Sequence, residues 1–228
     1  MNKREITKRY IILIIGLFFI SMGIAFTKHA ELGVSPISSV ANVISIRCDL
    51  LTMGGWLTVT NCLMILCQII LLKKKFAPIQ LLQFPVSILS GYFTDLCLYM
   101  ISGIGTETYI IRLGLLLAGI VILALGISAT VIADTIVNPG EGIVKAIAIV
   151  SGKSFGDVKT IFDVSWVTLS VVLSLILFGF RLVGVREGTI IAAFFTGYGV
   201  KFWNRLLTPL LNSFAYGINL CISDTFNP

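Results

Sequence analysis

Charge is what this sequence has least of. Only 12% of its 228 residues are Asp, Glu, Lys or Arg, against roughly 25% in water-soluble domains, and the mean hydropathy is +0.99. That excludes an ordinary water-soluble fold. Histidine is nearly absent: His29 stands alone, so no zinc or haem constellation is expected. The five cysteines, Cys48, Cys62, Cys67, Cys97 and Cys221, show no paired spacing and read as small apolar residues. There is no Gly-x-Ser-x-Gly nucleophile turn and no phosphate-binding glycine loop. The chain therefore reads as no enzyme and no ATPase, with neither metal nor cofactor.

What is present is a series of apolar runs near or above the roughly 20 residues that cross a bilayer. A basic start (Lys3, Arg4, Lys8, Arg9) leads into span 1, about Tyr10 to Thr27. No small-residue cleavage site closes it, so it reads as a retained span rather than a signal peptide. Leu32-Gly33-Val34-Ser35-Pro36 then opens a short apolar piece to Ile46. Ten helical residues cover about 15 Å, half a bilayer. Span 2 runs from about Trp56 to Leu72 and ends at Lys73-Lys74-Lys75. Span 3 runs from about Ile79 to Ile101.

The chain is one unit written twice. A shift of 103 lays Asn138-Pro139-Gly140-Glu141-Gly142 on Ser35-Pro36-Ile37-Ser38-Ser39, Gly119 on Gly16 and Gly126 on Gly23. At 102, Ser154-Phe155-Gly156 matches Thr52-Met53-Gly54, and Asp163 matches Asn61. At 106, Gly197-Tyr198 matches Gly91-Tyr92, and Arg186 matches Gln80. The expected fold is an all-α membrane protein with about six transmembrane helices plus two half-length helices, in two inverted three-span repeats. The first repeat is residues 1–101, with half-helix 36–47. A linker, 102–108, leads to the second repeat, 109–205, with half-helix 139–150 and a C-terminal tail, 206–228.

Three spans per copy, an odd number, require the copies to point in opposite directions. With the N-terminus cytoplasmic, twelve Lys and Arg fall on inner segments and five (Lys28, Arg47, Arg112, Arg181 and Arg186) on outer ones, as the positive-inside rule asks. The formal charge of +6 is thus a matter of topology and not of nucleic-acid binding. Inverted repeats with broken helices are the organisation of many secondary transporters.

Ser35-Pro36 and Asn138-Pro139 both read as helix starts, an N-cap residue followed by proline at the first helical position. Two half-helices beginning inside the membrane would turn two positive dipole ends toward one region, suited to an anion or a carbonyl oxygen. Two interfacial helix starts are the plainer reading. Glu141, three residues after Asn138, fits either a capping box or a carboxylate that titrates or binds a cation, with Gly140 beside it leaving room for close approach. Span 4 covers about Tyr109 to Ile132, span 5 about Val158 to Phe180 and span 6 about Glu187 to Phe202; Lys159 and Asp163 share a face of span 5 at i, i+4. Asp163 lies a turn deeper and has polar Asn61 as its repeat partner. Arg186 and Glu187 open span 6; Glu187 suits a first turn, whereas Arg186 there calls for a partner such as Glu141, Asp163 or an anionic substrate. Asp95 and Lys201 read as anchors, and Trp166 as a residue placed to line a cavity.

These motifs resemble a bacterial membrane-protein family, the YczE/YyaS/YitT-like proteins. Leu32-Gly33-Val34-Ser35-Pro36, Pro139-Gly140-Glu141-Gly142 and Arg186-Glu187-Gly188-Thr189-Ile190 look closest to its uncharacterised YczE-like branch. The resemblance implies an integral protein of the bacterial cytoplasmic membrane and names no substrate. The expected function is a transporter or channel for a small polar or ionic solute. A membrane binding or scaffold subunit working with a partner protein is the alternative, and a homo-oligomer stays open.

Overall fold

The computed structural model describes residues 3–216. Eight α-helices follow in order: α1 Lys3–His29, α2 Pro36–Arg47, α3 Met53–Leu72, α4 Gln83–Ile101, α5 Tyr109–Ala133, α6 Pro139–Ser151, α7 Phe155–Leu177 and α8 Glu187–Tyr216. Short 3-10 turns at Lys73–Lys75 and Pro78–Leu82 join α3 to α4. No strand occurs among the described residues. Five segments are long and apolar enough to cross a membrane: Glu5–His29, Met53–Lys75, Pro78–Ile101, Tyr109–Ala133 and Phe155–Leu177. The protein is a multi-pass, all-α membrane protein. The sixth expected span lies in α8, which is long but less apolar. It continues through Pro209 to Tyr216, so the first part of the expected tail is helix; the rest of that tail lies outside the described residues.

The centre of the fold is α1 against α5, and glycines bring the two together. A Cβ on Gly126 would lie 2.5 Å from Ile20 N and 2.7 Å from Gly16 O; one on Gly119 would lie 3.0 Å from Gly23 O. Gly16 thus meets Gly126 while Gly23 meets Gly119, which makes the two helices antiparallel. Under the shift of 103 one contact becomes the other. Where lipid tails are as apolar as leucine, close backbone approach of this kind drives helix association.

Both outer ends of this pair are tied by equivalent ion pairs. Arg112 Nη1 lies 3.0 Å from Glu31 Oε2, and Arg9 Nη1 lies 3.7 Å from Asp134 Oδ2. Arg9 and Arg112 are 103 apart, and so are Glu31 and Asp134. Both acids lie just past the end of their helix in the left-handed region, at φ 55° and 45°. Each copy thus holds the end of the other's first helix. The remaining helices follow the same exchange: α4 packs on α1 as α8 packs on α5, and α2 packs on α7 as α6 packs on α3.

Candidate functional site

The exchange axis passes between α1 and α5 and emerges where the half-helices begin. Ile37 and Gly140 are equivalent residues, and they touch: a Cβ on Gly140 would lie 2.7 Å from Ile37 Cδ1. The starts of α2 and α6 therefore meet close to that axis, at the centre of the fold. Their 12 and 13 residues, at about 1.5 Å each, are about half the length that crosses a bilayer.

Proline at the first position makes both starts. Ser35 and Asn138 occupy the N-cap, but neither side chain accepts a capping hydrogen bond. Ser35 Oγ instead meets Ser38 Oγ at 2.8 Å. The expected capping box does not form: the Asn138 side chain accepts no cap bond, and Glu141 makes no hydrogen bond back to it. Glu141 Oε atoms have no hydrogen-bonding or ion-pair partner among the described residues. This half-buried carboxylate lies within electrostatic reach of Lys159 and Asp163. Lys159 Nζ donates to Asp163 Oδ1 at 2.7 Å, with both side chains less than a third exposed.

Two bonds tie neighbouring helices to the crossing. Trp166 Nε1 on α7 donates to Ile37 O at 2.9 Å, with its ring stacked on Phe162 at 5.4 Å. Gln68 Nε2 on α3 donates to Pro139 O at 3.2 Å. Gln68 also exchanges amide hydrogen bonds with Gln83 at 3.1 and 3.3 Å, and both glutamines are fully buried. Asn61 is two turns from Gln68 on the same face of α3, buried at 5% exposure.

The structure therefore brings together Ser35, Pro36, Asn138, Pro139, Gly140, Glu141, Lys159 and Asp163, with Asn61 on the adjoining α3. It does not bring Arg186 or Glu187 to them. Arg186 Nη2 pairs with Glu187 Oε1 at 3.2 Å and Nη1 donates to Glu31 O at 3.3 Å, both residues exposed. The partners expected for Arg186 in Glu141 or Asp163 are not its partners. The first turn of α8 seats against the chain after α1, through Gly188 N to Leu32 O at 2.8 Å, and that holds Arg186 at the helix end.

Sequence reasoning missed Gln68, whose signal was a second amide, after Asn61, in an apolar span. Lys28 ends span 1 as expected, but its partners were not foreseen. Lys28 Nζ donates to Asn42 Oδ1 at 2.9 Å and Ser45 Oγ at 3.1 Å, and Asn42 Nδ2 donates to Gly184 O at 2.8 Å. This tie links α1 and α2 to the α7–α8 connection. Asp95 anchors as expected: it accepts from Thr52 Oγ1 at 2.6 Å and Gly54 N at 2.8 Å, at the start of α3. An open groove of about 510 Å³ between α5 and α8, lined by Leu117, Val121, Phe195 and Phe202 among others, is apolar and lies away from these charges. In a membrane such a face meets lipid tails.

No curated protein and no solved structure matches this chain. One family model matches residues 7–205, from α1 into α8, and so takes in both half-helices and the charged crossing. The chain belongs to the family of unknown function DUF6198.

Proposed function

We propose that this protein is a transporter for a small polar or ionic solute and not an enzyme, with its site at the crossing of α2 and α6. One observation carries the reading: two half-helix starts meet where Ile37 touches Gly140, beside Glu141, a carboxylate left without a hydrogen bond, and the Lys159–Asp163 pair. Charge held inside a membrane protein is costly, and it generally marks a substrate or ion path. Re-entrant helices paired across an inverted repeat are the arrangement in which transporters hold such sites. The small side chains at the crossing leave the first-turn amides near any ligand, and the lone carboxylate gives the site its asymmetry, since the equivalent of Glu141 is Ser38.

In this reading the protein sits in the bacterial cytoplasmic membrane with its N-terminus inside, as its Lys and Arg distribution argues, and belongs to the YczE-like branch. Glu141 and Asp163 supply charge or a transferable proton, and Asn61 lines the same path from α3. The test starts with a thermal-shift screen of inorganic ions, amino acids and small organic acids on the detergent-solubilised protein, since a ligand of the folded state raises apparent stability. Hits then go to flux assays in proteoliposomes. Glu141→Gln and Asp163→Asn are each expected to lower flux at least about tenfold, the equivalent of about 1.4 kcal/mol. Full flux in the double variant would remove the charges from the mechanism.

A further inference from the structure

The two copies differ at one seam. In the first copy α3 and α4 are locked together by small residues. Gly54 and Gly91 meet backbone to backbone, a Cβ on Gly91 coming 2.5 Å from Gly54 O. Thr58 Oγ1 donates back to Gly54 O at 2.9 Å and across the seam to Ser87 O at 3.2 Å. Asp95 of α4 closes the end by capping α3.

Shifted by 102 on one helix and 106 on the other, these positions become Gly156 and Thr160 on α7, and Ala193 and Gly197 on α8. All four are small again, and all four are exposed. A Cβ on Gly156 or on Gly197 would meet nothing within 4 Å, and α7 and α8 hardly touch. Thr160 Oγ1 nevertheless donates to Gly156 O at 3.1 Å, the same bond that Thr58 makes. The surface of α7 is thus already shaped as that of α3 is.

The charges at the end of the seam are complementary as well. The position of Asp95 is Lys201 on α8, and the first turn of α7 supplies Asp157; both are exposed. The acid has moved from one helix to the other and a base has taken its place.

We propose that α7 and α8 form a gate that closes as α3 and α4 are closed, seating Gly156 and Thr160 against Ala193 and Gly197 and bringing Lys201 beside Asp157. Between helices in lipid, selectivity comes from close packing of small residues and from hydrogen bonds, and closure supplies both. Thr160 Oγ1 gains the Ala193 carbonyl as Thr58 gains that of Ser87. Lys159, next to Thr160, places the gate beside the charged pair. The gate rests on the repeat alone and stands whatever the protein carries.

The test is thiol cross-linking in reconstituted vesicles, with Cys48, Cys62, Cys67, Cys97 and Cys221 replaced by alanine. Thr160→Cys with Ala193→Cys is treated with a short bis-maleimide; Thr58→Cys with Ser87→Cys is the reference for a closed seam. The expected result is a monomer-sized product in which mass spectrometry finds the α7 and α8 peptides joined. Lys201→Glu should lower its yield about two- to fivefold, the effect of an exposed ion pair, and Asp157→Lys with Lys201→Glu should restore it. No α7–α8 product where the reference pair is joined would overturn the gate. A product of dimer size would overturn it too, giving this face to a second copy of the chain.

Discussion

The seam between α1 and α5 and the seam between α3 and α4 use the same device, glycines that let backbones touch. The first is its own counterpart under the exchange of copies, so both halves share it. The second has its counterpart in α7 and α8, which stand apart. A contact on the axis cannot be made in one copy and broken in the other. A contact off the axis can. The central pair is accordingly the fixed part of this fold, and the outer pairs are where two arrangements of one sequence pattern exist side by side.

Substitutions that add a Cβ and more at matched glycines should break this comparison most sharply. Gly126→Leu would drive a side chain into Ile20 N at 2.5 Å and Gly16 O at 2.7 Å. It should cost at least about 3 kcal/mol, the upper range for overpacking, and remove most folded protein from a detergent thermal-unfolding assay. Gly197→Leu, facing open space, should stay within about 0.5 kcal/mol of the parent in the same assay. Equal losses at the two sites would mean that α8 is already packed.

The next contrast lies at the ends of the outer seams. Asp95→Ala removes the oxygens that receive Thr52 and Gly54 and should lower stability by about 1 kcal/mol, as the loss of a helix cap does. Lys201→Ala should leave the unfolding midpoint unchanged. The smallest effect belongs to the tie at the exposed end of the central pair. Glu31 is 61% exposed where Arg112 reaches it, and Arg112→Ala should cost between about 0 and 1 kcal/mol. Arg9→Ala should cost more, because only 9% of the Arg9 side chain is exposed and its stem is packed as well as paired.

Much of this was legible in the chain. The glycines at 16, 23, 119 and 126 were visible as a repeat, and they prove to be the points where the first helices of the two copies touch. The two X-Pro pairs marked the half-helices, because proline at a helix start has a local cause that needs no tertiary partner. Lys159 and Asp163 pair as their i, i+4 spacing implies. The pairing of Arg9 with Asp134 and of Arg112 with Glu31 was carried by the same shift of 103. The positive-inside rule accounts for a basic residue at a span end without naming its partner, so the pairing does not follow from it. The same holds for the partners of Lys28. The capping box at Asn138 does not form although its residue types are in place, because a local motif competes with packing, and this helix start is pressed against Ile37.

By itself the sequence determined the membrane class, the all-helical make-up and the places of the two short helices. Composition and proline placement are local, so no contact need be known to read them. Only the tertiary structure decided that the half-helix starts meet, that Glu141 joins Lys159 and Asp163 while Arg186 does not, and that one outer seam is shut while its twin is open. Those facts depend on which surfaces face one another across a hundred residues. Two copies of nearly the same pattern can pack in more than one way, and the pattern alone does not choose between them.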